Sequence, residues 1–165
     1  MSTFTTRTAS PLGELTLACS DRGLCGVWFE GQRHGPEAQL VQGWQSAPDH
    51  PLLQATAAQL SDYFAGRRTV FDLPLDLSRG TAFQQSVWQG LLAIAAGTHH
   101  SYGQLAARLN KPLAVRAVGA AVGRNPVSII VPCHRVLGST GQLTGYAGGL
   151  ERKRALLQLE GHPLS

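Results

Sequence analysis

Two capping boxes constrain this chain more than any other feature. Thr81 is followed three residues on by Gln84, and Ser101 by Gln104. In each box the hydroxyl and the amide side chain satisfy backbone donors at a helix start, so helices are predicted to open just after Thr81 and Ser101. Phe83, Val87 and Leu91 give the first helix its buried stripe. "NKP" ends the second, and "LAVRAVGAAVGR" restarts a helix built of small residues. Two short helices joined by a tight turn read as a helix-turn-helix. Beyond them, "VSIIV" reads as a short buried strand and "GSTGQLTGYAGG" as a glycine-rich loop. "LERKRALLQLEG" reads as a closing helix with Glu151 in its favourable first turn.

The first half has a different texture. "GELTLAC" alternates polar and apolar, "DRG" follows, and "LCGVWF" is apolar again, a pattern that predicts a hairpin. "EGQRHGPEAQ" reads as loop. A helix is predicted over "LLQATAAQLSDYFAG", with Leu53, Ala57, Leu60 and Phe64 on its buried face and Gly66 as its stop. "RRTVFDLPLDLSRG" reads as an extended connector. The expected fold class is α+β. A small N-terminal α/β domain (1–76) carries a hairpin-containing sheet. A mostly helical C-terminal domain (77–165) carries the helix-turn-helix and a short strand leading to Cys133.

Charge divides the chain in the same place. The net charge of +4 conceals eight acids against five bases in residues 1–76, and two acids against nine bases in residues 77–165. Between Asp76 and Glu151 there is no carboxylate, while Arg79, Arg108, Lys111, Arg116, Arg124 and Arg135 lie inside that interval. An acid-free basic half fits a polyanion, most simply nucleic acid, although a merely soluble basic face has the same composition. In the second helix of the pair, Ala114, Ala117, Gly119, Ala120, Ala121 and Gly123 leave one flank almost bare. Tight helix packing accounts for such a flank; Arg116 and Arg124 beside it favour a nucleic-acid groove. Three cysteines, Cys19, Cys25 and Cys133, form no disulfide framework and point to a reducing, cytoplasmic setting. The N-terminus has no apolar signal core, and no run is long enough to cross a bilayer.

The chemistry converges on "IIVPCHRV". A cysteine after an apolar run is commonly an inert core residue. A thiolate, however, is a nucleophile, and a neighbouring base or positive charge activates it. For His134 to serve Cys133 the strand must end at Pro132 and the chain must turn, because neighbours on a strand face opposite ways. Contact is then direct or through one water. Arg135 either adds positive potential or pairs with an acid. A working histidine also needs an orienting carboxylate. Glu160 lies at the C-terminal end of the last helix, where the dipole disfavours an anion. It is either a partner for His134 or a solvated terminal side chain.

"FQQSVW", "SYGQLA", "RAVGAA", "NPVSIIVPCHRV" and "GYAGG" occur in this order, followed by a lysine, two leucines and a glutamate. Together they closely resemble the methylated-DNA–protein-cysteine methyltransferases, the alkylguanine-DNA alkyltransferases that repair guanine alkylated at O-6. The match is strong over about residues 77–161 and looser before. The resemblance implies that Cys133 accepts the alkyl group, that His134 is the base acting through water, and that Glu160 is its carboxylate partner. Asn125 resembles the family's hinge asparagine. Arg116 resembles the arginine that fills the gap left by an extruded base, and Tyr102 the tyrosine that helps rotate the nucleotide out. Ala117, Ala120, Arg124 and Arg135 are expected on the DNA-binding face, in the minor groove. Tyr146, Val136, Gly148 and Gly149 are expected to wall the base pocket.

The implied reaction is single-turnover. The thiolate takes the alkyl carbon, and a thioether offers water no electrophilic carbonyl through which to regenerate the cysteine. No cofactor is expected, and the partner is double-stranded DNA, met by a protein that is monomeric without it. Some relatives bind zinc near the N-terminus; Cys19, Cys25 and His50 lack close ligand spacing, so no metal is expected. Ala95 and Ala96 replace the proline common before the "SYG" helix. No cysteine-rich regulatory domain is expected before residue 1. Two rivals remain: a non-catalytic, alkyltransferase-like lesion binder, which would lack the cysteine, and a Cys/His thiol hydrolase or redox protein, which would not need the acid-free stretch.

Overall fold

The structure is a computed structural model that describes residues 2–163. It comprises two compact units. One runs to Leu77 and also takes in Pro126–Ser128; the other comprises Ser78–Asn125 and the chain from Ile129 on.

In the first unit, β1 (Phe4–Thr8), β2 (Leu15–Ser20) and β3 (Gly23–Phe29) form an antiparallel meander, the last two being the expected hairpin. A single helical turn, α1 (Ala38–Val41), precedes β4 (Gln45–Ser46), which pairs parallel with β1. The sheet order is β3-β2-β1-β4. Every residue of β3 is buried, so it reads as a continuous apolar run with no alternation. α2 (Pro51–Phe64) packs on β1, β2 and β3. His50 caps it, its Nδ1 accepting from the Leu52 amide at 3.2 Å. Its buried residues are Leu53, Thr56, Leu60 and Tyr63. The face is therefore rotated from the expected one, with Thr56 and Tyr63 in place of Ala57 and Phe64. Thr56 tolerates burial because its hydroxyl donates to the Leu52 carbonyl at 2.8 Å.

The extended connector after α2 lies against β3. The Leu24 amide donates to the Pro74 carbonyl and the Asp76 amide to the Leu24 carbonyl, both at 2.8 Å. This close approach falls on Gly23, whose φ is +153° and where a Cβ would sit 2.7 Å from the Pro74 oxygen. Only glycine fits there.

In the second unit both capping boxes are formed. They open α3 (Ala82–Leu91) and, after β5 (His100–Ser101), α4 (Tyr102–Arg108). A turn with Asn110 at φ +60° leads to α5 (Val115–Gly123), completing the helix-turn-helix. Trp88 joins Val87 and Leu91 on the buried face of α3, and its indole N–H donates to the Ala121 carbonyl of α5 at 2.8 Å. Gly80 makes room for the same ring, which would lie 2.3 Å from a Cβ there.

The expected strand "VSIIV" is reduced to one residue. Val127 bridges Val27 in parallel, after which Ser128–Ile130 turn and Ile129 adopts φ +72°. That conformation is uncommon for a β-branched residue and prevents a strand from continuing. A 3-10 turn (Cys133–Arg135) follows, then β6 (Val136–Leu137), parallel to β5, and finally α6 (Leu150–Leu159).

Gly23→Ala is expected to lower stability by at least about 2 kcal/mol, because the backbone of Pro74 cannot retreat without breaking its bond to Leu24. The midpoint of chemical unfolding reads this directly.

Candidate active site

The site is built on a proline. Pro132 has φ −83° and ψ 63°, and the Cys133 amide donates back to the Val131 carbonyl at 2.8 Å. This is an inverse γ-turn around Pro132. The Arg135 amide then donates to the Pro132 carbonyl at 3.0 Å, closing the 3-10 turn. The chain thus turns at Pro132, the condition required for Cys133 and His134 to act together.

Asn125 holds the turn from the end of α5. Its Nδ2 donates to the Val131 carbonyl at 2.7 Å and to the Cys133 sulfur at 3.1 Å. The asparagine expected as a hinge therefore also touches the Cys133 sulfur. Cys133 is 5% exposed. Burial pushes its thiol pKa up, opposed by the Asn125 hydrogen bond and by the positive charge of Lys153.

His134 is fully buried, and its Nε2 lies 2.7 Å from Glu160 Oε2. A carboxylate only accepts, so Nε2 carries the proton and Nδ1 of the neutral ring keeps its lone pair. Nδ1 is buried without a protein partner among the described residues. Burial pushes the His134 pKa down, against the upward pull of Glu160. Glu160 is the C-cap of α6, as its sequence position suggested, and it is not solvated. Burial alone would raise its pKa, but bonds from His134 and Arg135 outweigh that and hold it at about 2.

Arg135 requires a correction. Expected on the DNA-binding face, it is buried, with Nε 2.8 Å from Glu160 Oε1 and Nη2 3.0 Å from Oε2. Its Nη1 donates to the Ile94 carbonyl at 2.6 Å. Three of its five N–H donors are engaged inside the unit, and its burial keeps it off the surface a phosphate would meet.

Lys153 was missed. It lies on α6, fully buried, and its ammonium donates to the carbonyls of Val136 at 2.6 Å and Thr144 at 2.8 Å. Burial brings its pKa down to about 8, with the Cys133 thiolate pulling the other way. "ERKR" looks like a solvated basic run, yet Lys153, Leu156 and Leu157 are the buried residues of α6 and share helical spacing.

The remaining expected residues fall into two groups. Arg116, Ala117, Ala120 and Arg124 are all exposed on or at the end of α5. Tyr102 opens α4; its ring would meet a Cβ on Gly119 at 3.6 Å, and its hydroxyl accepts from Thr144 Oγ1 at 3.4 Å. Val136 and Gly148 are buried, Tyr146 is half-buried, and the exposed Gly149, at φ +93°, is the N-cap of α6. The cavity of about 800 Å³ in this unit, bordered by His99, Gln142, Glu151, Arg154 and His162, does not include Cys133. In the first unit Cys19 lies 3.7 Å from both ring nitrogens of His50. Burial first, then Cys25 and Asp21, push its pKa up to about 11. Among the described residues no three His, Cys, Asp or Glu side chains are grouped as metal ligands, and no helix is long and apolar enough to cross a membrane.

Comparison with known proteins bears on this geometry. Residues 4–77 match the 6-O-methylguanine DNA methyltransferase ribonuclease-like domain, and residues 82–162 the DNA-binding domain of the same class. The methylated-DNA–protein-cysteine methyltransferase of Mycobacterium tuberculosis is 50% identical over 151 residues, covering 92% of this chain and 88% of that protein. The protein of that name in Salmonella typhimurium is 46% identical over 162 residues, covering 94% of each. The crystal structure of Mycobacterium tuberculosis O6-methylguanine methyltransferase superposes with a TM-score of 0.85 at 46% identity, covering 96% of this chain and 92% of that one. A structure of Mycobacterium tuberculosis OGT in complex with DNA gives the same score and identity, covering 97% and 92%. The chain belongs to the methylated-DNA–protein-cysteine methyltransferase family.

The low pKa of Glu160 has a consequence for stability. Its ordinary value is 4.5 and its folded value about 2. A depressed carboxyl pKa stabilises the fold above the unfolded value, and that stabilisation is lost as pH falls through the folded one. The window is therefore pH 4.5 down to about 2. His134, also depressed, begins the loss below its ordinary 6.5. Glu160→Gln is expected to be less stable at neutral pH by roughly 3 kcal/mol, since Arg135 keeps a buried charge without its partner. Its unfolding midpoint should vary much less than the wild type's across that acid window.

Proposed function

We propose that the protein repairs DNA by direct reversal, rotating an O-6-alkylated guanine out of the duplex and taking its alkyl group irreversibly on Cys133. The observation that carries the reading is the arrangement at the sulfur: Asn125 donates to it, Lys153 lends it positive charge, and the adjacent His134 is backed by Glu160.

In the resting site burial favours a neutral thiol and a neutral imidazole. His134 Nδ1 takes the thiol proton, through one water where the two do not touch. Glu160 stabilises the imidazolium that forms, and Arg135 fixes Glu160. The thiolate, held by Asn125 and facing the charge of Lys153, attacks the alkyl carbon. A sulfur–carbon bond forms as the carbon–oxygen bond breaks. The electron pair returns to guanine, which takes up the proton the thiol gave. Atoms and charge balance without a metal or cofactor. The product is a thioether, so each molecule acts once.

A target carbon stacked inside a duplex cannot be approached in line, and extruding the nucleotide costs a few kcal/mol. Arg116 is the residue proposed to occupy the vacated stack, with Tyr102 pressing on the neighbouring backbone. Ala117 and Ala120 let α5 enter the minor groove, the narrower one, and Arg124 meets phosphate. Tyr146, Val136, Gly148 and Gly149 are the proposed base pocket. The protein would work as a cytoplasmic monomer until it meets DNA. The units ending at Leu77 and beginning at Ser78 then correspond to a scaffold and to a DNA-binding, alkyl-accepting domain.

An oligonucleotide carrying O6-methylguanine tests this by mass spectrometry. The expected result is a stoichiometric gain of one methylene's mass on Cys133 and none in Cys133→Ser, which still binds the duplex. Binding without mass gain in the wild type would instead mark a lesion sensor, and turnover of small thioesters a hydrolase. Lys153→Met is expected to slow transfer at least about tenfold, because without the ammonium less opposes the burial that pushes the Cys133 thiol pKa up. The pH dependence of Cys133 alkylation by a small haloacetamide reads that shift independently of DNA.

A further inference from the structure

We infer that Leu113 is an apolar wedge that inserts into the minor groove beside the extruded nucleotide, an inference resting on the DNA-repair reading above. The Ala114 amide donates to the Lys111 carbonyl at 2.9 Å, so Lys111-Pro112-Leu113-Ala114 form a β-turn between α4 and α5. Pro112 occupies the second position, where its fixed φ stiffens the turn, and Leu113 the third, at the tip. Leu113 is 100% exposed, the most exposed of the large apolar residues described; Val70 follows at 76%. A rigid tip keeps the side chain from folding back onto its own unit.

A single exposed leucine is ordinary. This one stands at the head of a row. It lies in the turn just before α5, three residues ahead of the exposed Arg116, with the exposed Ala117, Ala120 and Arg124 following. Val115, beside it, is also exposed. Lys111, two residues earlier, is positioned with its ammonium 5.9 Å from the Phe83 ring centre. Leucine thus lies between two cations in a chain segment that holds no carboxylate from residue 77 to residue 150. Such a surface suits a ligand whose outside is anionic and whose inside is apolar. A nucleic-acid minor groove has that character: phosphates along the rims, sugar and base edges on the floor. Leucine is among the side chains that wedge base steps apart there, exchanging stacking for contact with the protein. Three residues from Arg116, the wedge would keep the step open while the guanidinium fills the gap.

The experiment uses the full chain in a Cys133→Ser background, where binding is read without chemistry. Leu113→Ser, Leu113→Ala and Leu113→Met are compared on a short duplex with one O6-methylguanine flanked by 2-aminopurine. Leu113→Ser and Leu113→Ala are expected to bind about tenfold more weakly and to give less 2-aminopurine fluorescence at saturation; Leu113→Met should match the parent. With Cys133 present, Leu113→Ser should lose a similar factor on the duplex, keep the parent's rate with free O6-benzylguanine, and melt at the parent's temperature. Unchanged duplex affinity overturns the inference. So does an equal loss on the free base, which marks a structural role, or a loss seen only on long duplexes crowded with protein, which marks contact between copies. If the wild type binds the lesion but transfers nothing, the repair chemistry fails while the binding arm still decides the wedge.

Discussion

The buried carboxylate of Glu160 is the interaction on which the second unit's chemistry depends. It stands at the C-terminal end of α6, where the helix dipole repels an anion, and it has been withdrawn from water. Both effects oppose ionisation. Three donors override them: one from His134 and two from Arg135. The bonds fasten the 3-10 turn to α6, and the further bond from Arg135 to the Ile94 carbonyl fastens it to the segment after α3. They also fix the tautomer of His134. With Nε2 committed to the carboxylate, Nδ1 is the ring atom left with a lone pair. A charge placed where its surroundings resist it thus orders both the backbone and the base.

The thiol is treated in a similar way. Burial opposes its ionisation, and two groups are set against burial: the Asn125 amide, 3.1 Å from the sulfur, and the ammonium of Lys153. Lys153 is itself an expensive residue to bury, with a pKa brought down to about 8. Its bonds to the Val136 and Thr144 carbonyls satisfy two of its three donors and tie it to β6 and to the loop that follows. The field at Cys133 is therefore the work of a residue twenty positions away in sequence, brought close by packing of α6 on the 3-10 turn.

What was legible in the sequence was local, and what was not depended on packing. Thr81/Gln84 and Ser101/Gln104 announce helix starts because each box satisfies its own donors within four residues. Glu160 announced a partner because its position is electrostatically poor. For Arg135 pairing with an acid was legible but burial was not, and Lys153 entered only as part of the resemblance: composition marks each as solvated, and only neighbours distant in sequence supply the acceptors that let them be buried. The pattern of α6 held the one available signal, since Lys153 recurs in step with Leu156 and Leu157. The strand expected at "VSIIV" failed for a related reason. Apolar β-branched residues favour strands, but Ile129 is held at φ +72°. β1 lies in "FTTRT", where polar threonines hide the alternation. The rotated face of α2 reflects Thr56, whose hydroxyl is satisfied within its own helix.

A nearly sealed cysteine at first sight suits catalysis poorly. An enzyme that cycles must admit a second reactant to its covalent intermediate and let product go. On the chemistry proposed, neither demand exists, because the thioether is final. The sulfur can then sit at 5% exposure, with the Asn125 amide bonded to it and the Lys153 charge acting on it. Each of those interactions gains strength in a dry setting. Dryness carries a cost: a substrate can reach the sulfur only if something delivers it. On the proposed function, that transfers the burden of access from the pocket to the helix-turn-helix, where Arg116, Ala117, Ala120 and Arg124 are exposed. On that proposal, burial of the thiol and extrusion of the substrate are two sides of one arrangement, and the first is chemically useful only where the second occurs.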